Sequence, residues 1–278
     1  GGMTAISSPT NQPLLSSRSQ DQAQNMLRQI GKSMSTDYVF GIHAVSAFME
    51  RAPEDVLELF VLKDREDQRM QPVIQLARKS GVSVQFCNRK TLDEKVAGAQ
   101  HQGVVAKARL HDAGDESDLA RIVEREAAPF LLILDGITDP HNLGAILRSA
   151  DAAGVHAVIA PKDRSVKLTA VVRKVACGAA ESVPFINVTN LARTIRDLKD
   201  AGVWVVGAAG ETETTIYQAS FSGPIALAMG AEGDGLRRLT KESCDSLVKI
   251  PMFGAVSSLN VSVATGICLY EAVRQRQK

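Results

Sequence analysis

The sequence predicts an α/β protein of two domains, on three observations. Its 278 residues exceed one typical domain and fall short of three. Between about Tyr38 and Leu110, helical patterns alternate with short strands rich in β-branched residues, as in a small α/β domain. From Phe130 onward the strands become continuous apolar runs with helices between them, the pattern of a parallel sheet covered on both faces.

Composition sets the outer limits. Apolar residues make up 45% and charged residues 23%, enough to build a core and incompatible with disorder throughout. Lys and Arg number 32 against 31 Asp and Glu, a net charge of +1, so nucleic-acid binding must come from local patches. No apolar run approaches the roughly 18 residues of a bilayer span, and the N-terminus lacks the apolar core of a signal peptide. A cytoplasmic location with no membrane partner is the expectation. Cys87, Cys177, Cys244 and Cys268 are widely spaced without a C-x-x-C pair, so no zinc site or disulfide framework is expected. The thiols read as reduced and largely buried.

Residues 1–34 are rich in Ser, Gln, Asn and Pro and poor in aliphatics, which cannot offset the entropy of ordering, and they read as a disordered tail. Residues 35–110 form the first domain: helix HAVSAFME, strand LELFVLK, helix MQPVIQLARKSG closed at Gly81, strand VSVQFC, a helix near LDEKVAG and strand GVVAKARL. Residues 111–128 are a linker holding one amphipathic helix, ESDLARIVEREAA. The second domain, 129–278, opens with Pro129 and the strand FLLILDG, followed by strands HAVIAP, GVWVVGAAG, PIALAMG and SLVKIP. Helices NLGAILRSADAAG, LTAVVRKVACGA and LARTIRDLKDAG lie between them.

Chemistry is expected where loops leave the C-terminal ends of parallel strands. In LDGITDPHNLGAILRSADAAG, Asn142 and Arg148 lie six residues apart, well separated in angle on a helix, so a shared site would place Asn142 in the turn before the helix body. Structurally, Asn142 can be the helix cap and Arg148 a solvated side chain. MGAEGDGL follows a buried strand and sets Gly230, Gly233 and Gly235 around Glu232, suited to close backbone approach to a ligand or simply to a turn. KIPMFGAVSSLNVSVATGICLYEAVRQR joins a short strand to a long helix, with Ser257 or Ser258 as N-cap and Asn260 left without an explanation. PKDRSVKLTAVVRKVACG gathers Lys162, Arg164, Lys167, Arg173 and Lys174 around a single acid, Asp163, either to neutralise phosphates or as a solvated face.

Together, in order and separation, the first three segments resemble the signature motifs of the SpoU/TrmH class of RNA 2′-O-methyltransferases in the SPOUT superfamily, over about Phe130 to Arg276. The preceding domain resembles the ribosomal-protein-like RNA-binding domain of many members. VFGIHAV, LDEKVAGAQHQGVVA and KVACGAAESVP resemble most the members that methylate a guanosine of bacterial large-subunit ribosomal RNA. The resemblance implies a SPOUT trefoil-knot domain, a homodimer, S-adenosylmethionine in the knotted loops, ribosomal RNA as substrate and no metal. It implies cofactor contacts at Gly210, Gly230, Ile250 and Leu259, and an Arg148 that polarises the ribose hydroxyl with Asn142, Glu232, Ser258 and Asn260 arranging the site. Transfer-RNA methylation and a non-catalytic ribosome-assembly factor are the alternatives.

Overall fold

The computed structural model describes residues 34–63, 67–231 and 233–277. The first domain is built on strands β1 (Met34–Phe40), β2 (Val56–Leu62), β3 (Ser83–Cys87) and β4 (Val104–His111), in the order β1-β4-β2-β3. β4 is antiparallel to β1 and β2, whereas β3 is parallel to β2. Helices α1 (Ile42–Arg51) and α2 (Met70–Lys79) cover one face, where Val45, Phe48 and Ile74 meet Leu59, Val61 and Ala106. The shorter α3 (Arg89–Lys95) covers the other, setting Leu92 against Phe40, Phe60 and Val105.

β1 is absent from the sequence expectation. Only Val39 and Phe40 of MSTDYVF are buried, so the strand has no pattern of its own and is held by its register against β4, from Met34↔His111 to Phe40↔Val105. Of the expected tail, residues 1–33 lie outside the described residues and Met34 already belongs to the sheet. The linker is tied down early as well: Gly114 bridges Ile186 at the edge of the second sheet. Its helix α4 (Glu116–Arg125) starts at Asp115, which forms a reciprocal capping box with Asp118.

The second sheet contains β5 (Phe130–Asp135), β6 (Ala157–Pro161), β7 (Phe185–Val188), β8 (Trp204–Ala208), β9 (Ile225–Gly230) and β10 (Ser246–Val248). Their order is β10-β8-β9-β5-β6-β7, with every pair parallel. Helices α5 (Pro140–Ala153), α6 (Ala170–Ala176), α7 (Leu191–Asp200), α8 (Arg238–Ser243) and α9 (Val261–Arg276) complete it. Because side chains alternate along a strand, Leu132 and Leu134 join one core with Ile146, Leu147 and Leu269, while Leu131 and Ile133 join another with Ile195 and Leu198. Burial on both faces is why FLLIL shows no alternation.

Two sequence expectations need revision here. β7 is only four residues long at the sheet edge and gave no separate signal. The expected helix over LTAVVRKVACGA stops at Ala176, because Cys177 and Gly178 take left-handed φ values of 52° and 93° and turn the chain away.

All four cysteines are free; Cys268 is buried and the other three are half-buried. Burial pushes the Cys268 thiol up to about 12. Cys244 rises to about 11 through burial and then the neighbouring Asp245 charge. A disulfide reagent applied to the native protein at neutral pH should therefore modify Cys87 and Cys177 quickly and the other two only after denaturation. Rapid modification of all four would contradict the packing described.

Candidate active site

The first loop is set by a cap. β5 ends at Asp135, Gly136 turns the chain at φ 84°, and the Asp139 carboxylate accepts from the backbone N–H of His141 (2.8 Å) and Asn142 (3.1 Å), with Pro140 opening the helix. Asp139 is thus the cap, not Asn142, which lies in the first turn of α5 with its side chain free for another partner. That partner is Asn260.

Asn260 is the N-cap of α9, in place of the expected Ser257 or Ser258, both of which are exposed. Its Oδ1 accepts from the backbone N–H of Ser262 (2.9 Å) and Val263 (3.3 Å), which commits that oxygen to the helix. Asn260 Nδ2 is left to donate, and it does so to Asn142 Oδ1 at 3.1 Å. The second amide is fixed as well: with its oxygen used as acceptor, Asn142 keeps its Nδ2 as a donor. One cap thereby orients two amides from segments 118 residues apart.

Arg148 is not brought to this pair within one chain. Six residues on an α-helix place it about 9 Å further along the axis and about 120° around it. It is exposed and has no hydrogen bond or ion pair among the described residues.

Beside Asn260 lies a cavity of about 390 Å³, enclosed by the chain at 208–211, 229–231, 233–236 and 248–261. Gly210, Gly230, Ile250, Leu259 and Ser258 all line it. The expected Glu232 lies outside the described residues. Gly230 is forced by its surroundings: a Cβ there would stand 2.1 Å from the Gly235 carbonyl carbon and 2.2 Å from the Leu236 nitrogen. Glycines at 233 (φ 86°) and 235 (φ 67°) let the loop fold back onto the end of β9, where Ala231 bridges Gly235. Gly210, by contrast, faces open space within 4 Å. The segment after β10 runs between two stretches of the chain that follow β8: Val248 accepts from Ala209 N–H (2.8 Å), and Lys249 exchanges backbone hydrogen bonds with Thr214 and Ile216 (2.9 Å each).

Sequence reasoning missed Asp135. Its carboxylate is only 1% exposed and is met by Arg237, through the backbone N–H at 3.2 Å and Nε at 3.4 Å. It ties the turn before α5 to the glycine loop at the cavity. An acid ending a buried strand was the available signal, since a buried carboxylate needs a partner. Among the described residues no group of His, Cys, Asp or Glu is placed to hold a metal ion.

The basic cluster divides. Lys162, Arg164 and Lys167 are exposed on the loop after β6, which touches the first motif through Val166 N–H to Ile137 O at 3.4 Å. Arg173 must be corrected: it is 4% exposed, pairs with Glu181 at 2.6 Å and donates to the His111 carbonyl at 3.3 Å. Lys174 is half-buried, donates to the Gln100 carbonyl and stands 5.5 Å over the Phe40 ring. Lys174 is spent on the first domain and Arg173 between Glu181 of its own domain and the end of β4, a difference that spacing along the chain does not reveal.

Residues 129–270 match the family model described as SpoU rRNA Methylase family, and residues 38–112 match RNA 2′-O ribose methyltransferase substrate binding. The chain is 61% identical over 241 residues to 23S rRNA (guanosine-2′-O-)-methyltransferase RlmB of Shewanella oneidensis, covering 87% of this chain and 98% of that protein. The Escherichia coli K12 protein of the same name is likewise 61% identical over 241 residues, 87% of this chain and 99% of its own. Among solved structures, the SpoU methyltransferase AviRb from Streptomyces viridochromogenes in complex with AdoMet aligns with a TM-score of 0.73 at 25% identity, over 93% of this chain and 97% of that one.

A glycine pair tests the cavity. Gly230→Ala should cost about 3 kcal/mol of stability through backbone collision and abolish AdoMet binding by calorimetry. Gly210→Ala should leave the melting temperature unchanged and weaken AdoMet about tenfold, or about 1.4 kcal/mol, by narrowing the space. Equal AdoMet affinity in wild type and Gly210→Ala would remove Gly210 from the site.

Proposed function

Because the chain belongs to the SpoU rRNA Methylase family, we propose that it transfers the methyl group of S-adenosylmethionine to the ribose 2′-hydroxyl of a guanosine in 23S ribosomal RNA. The geometric observation that carries this reading is the junction at Asn260. Ser258 and Leu259 line the cavity, and the next residue but one after Ser258 is hydrogen-bonded to Asn142 on the first motif's helix. A methyl donor in the cavity and a ribose at the amide pair are then neighbours.

The residues present fit S-adenosylmethionine. Gly210 leaves open space for it, Gly230 lets the glycine loop close onto β9 beneath it, and Ile250 and Leu259 give apolar walls for a flat base. When bound, it supplies a methyl group already activated on a positive sulfonium. The ribose hydroxyl is a weak nucleophile, and as the oxygen–carbon bond forms its proton passes to an acceptor, an RNA phosphate oxygen or the carboxylate of Glu232. Asn142 Nδ2, released as a donor by its bond to Asn260, orients a ribose oxygen. Arg148, which one chain does not bring to the amide pair, acts in this reading from the second copy of a homodimer, as a cation beside the developing oxyanion; a guanidinium holds its protons too firmly to serve as the base. Ser258 and Glu232 complete the arrangement. Attack on a cation by an oxygen gaining negative charge neutralises both, so alignment and exclusion of water supply much of the acceleration.

Lys162, Arg164 and Lys167 contact RNA phosphates in this reading, from a loop that abuts the first motif. The protein acts as a homodimer in the cytoplasm. Phe253, 94% exposed, together with Val256, Val263 and Tyr270, offers an apolar surface beside the cavity and along α9 that a second copy would cover. A trefoil knot at the cofactor loops is supported by the way Val248 and Lys249 lie between Ala209 and Thr214–Ile216. No helix among the described residues is long and apolar enough to cross a membrane.

The deciding experiment incubates the protein with tritiated S-adenosylmethionine and deproteinised 23S rRNA and maps the modified ribose. No transfer at any salt concentration would end the enzyme reading, and transfer only to tRNA would redirect it. Arg148→Ala should slow transfer at least about a hundredfold while AdoMet affinity and melting temperature hold. Asn260→Asp keeps the cap acceptor and removes the amide donor, so transfer should fall with the melting temperature unchanged. If its rate stays at wild type, the amide pair is structural only.

A further inference from the structure

The short helix α6 touches three parts of the protein with three faces. Val172 and Val175 pack against Gly144 of α5, so closely that a Cβ on Gly144 would lie 2.5 Å from Val175 Cβ. Ala170 and Val171 pack instead on the first domain's cluster of Phe40, Phe60, Leu92 and Val105. Lys174, one turn beyond Ala170 and on the same face, donates to the Gln100 carbonyl and covers Phe40. Arg173 points elsewhere, bound to Glu181 and to the His111 carbonyl where β4 ends and the linker begins.

The turn that ends α6 makes the other half of the contact. Gly178 sits at φ 93°, where a Cβ would lie 2.3 Å from the Cβ of Ala47 on α1, and its carbonyl accepts from Arg51 Nη1 at 3.1 Å. The loop that Lys174 grips is itself held under constraint. Ala97 and Gln102 have φ of 50° and 55°, and Gln102 Oε1 accepts from Ile42 N–H at the start of α1, 3.0 Å away. His101, buried between them in sequence, bonds Asp93 at 2.7 Å and accepts from Gly103 N–H at 2.9 Å. A rigid loop, a lysine, an arginine and a helix with no slack against α5 thus connect the first domain to the helix that carries Asn142 and Arg148.

We propose that α6 couples the substrate-binding domain to the catalytic helix, and that Lys174 and Arg51 are positioning residues that seat that domain for methyl transfer rather than RNA ligands. The inference rests on the methyltransferase reading for its activity arm and on the structure alone for its mechanical arm.

The test uses full-length Lys174→Met, Lys174→Arg and Arg51→Met/Lys174→Met, with Lys162→Met as a comparator. For Lys174→Met, kcat/KM for 23S rRNA should fall about tenfold, the loss of one charged hydrogen bond's worth of ordering, with AdoMet affinity unchanged. Lys174→Arg, which keeps a donor, should recover most of it. The salt dependence separates positioning from phosphate contact. A lost phosphate contact lowers the slope of log affinity against log salt by about 0.7–0.9, which is expected for Lys162→Met and not for Lys174→Met. By small-angle scattering the double variant should show a larger radius of gyration than wild type. A wild-type kcat/KM in Lys174→Met, a reduced salt slope in it, or an unchanged radius in the double variant each overturns the proposal. An inactive wild-type protein whose double variant still expands would instead sink the methyltransferase reading and leave the docking intact.

Discussion

Where α5 meets α6, a hydrogen atom at Gly144 is all that fits between them; a methyl group would press on the Val175 side chain and stand 2.9 Å from the Val172 carbonyl oxygen. That contact decides where α5 lies, and most of the site follows from α5. Its first turn presents Asn142, which receives the amide of Asn260. Asn260 starts α9, and the loop before α9 walls the cavity. The turn before α5 is anchored through buried Asp135 to Arg237 in the loop on the cavity's other side. Close-packed interiors transmit displacement rather than absorb it, so an error at Gly144 would be felt at every one of these groups.

The groups at the junction suit a reaction in which opposite charges vanish. Two neutral amides set the geometry, and their orientation is settled by a helix cap instead of by a charge that would have to be desolvated. Charged groups line the cavity itself, Lys241 paired with Glu211 and Lys249 among them, and Lys162, Arg164 and Lys167 are exposed on the neighbouring loop.

The fold class was legible because it depends on local patterns. Continuous apolar strands such as FLLIL and capped amphipathic helices carry their own signals, and the cavity lies where two such strands, β8 and β9, end. β1 and β7 were not legible, one nearly unburied and one of four residues, since each is a strand only by virtue of its neighbour. The identities of the caps failed for a related reason. Asp, Asn and Ser all cap helices, and choosing among Asp139 and Asn142, or among Ser257, Ser258 and Asn260, needs the backbone path. Gly210, Gly230, Ile250 and Leu259, expected at the cofactor through resemblance alone, line one cavity, whereas spacing could never have paired Asn142 with Asn260.

Arg173 shows why a run of positive charge is a poor guide to an RNA surface. Burying a guanidinium and a carboxylate removes both from water, and the cost appears in Glu181, whose pKa burial raises although Arg173 and Arg51 pull it down. One nitrogen, Arg173 Nε, has no hydrogen-bond partner among the described residues. Such a pair is weak evidence for stability, because apolar residues of the same volume usually serve as well. What an apolar replacement lacks is direction. Arg173 reaches from α6 to the His111 carbonyl at the start of the linker, and Glu181 lies where Arg51 of the first domain also bears on it. A pair that costs desolvation and returns orientation belongs at a seam whose angle matters, which is the place where one domain holds the RNA and the other must reach its ribose.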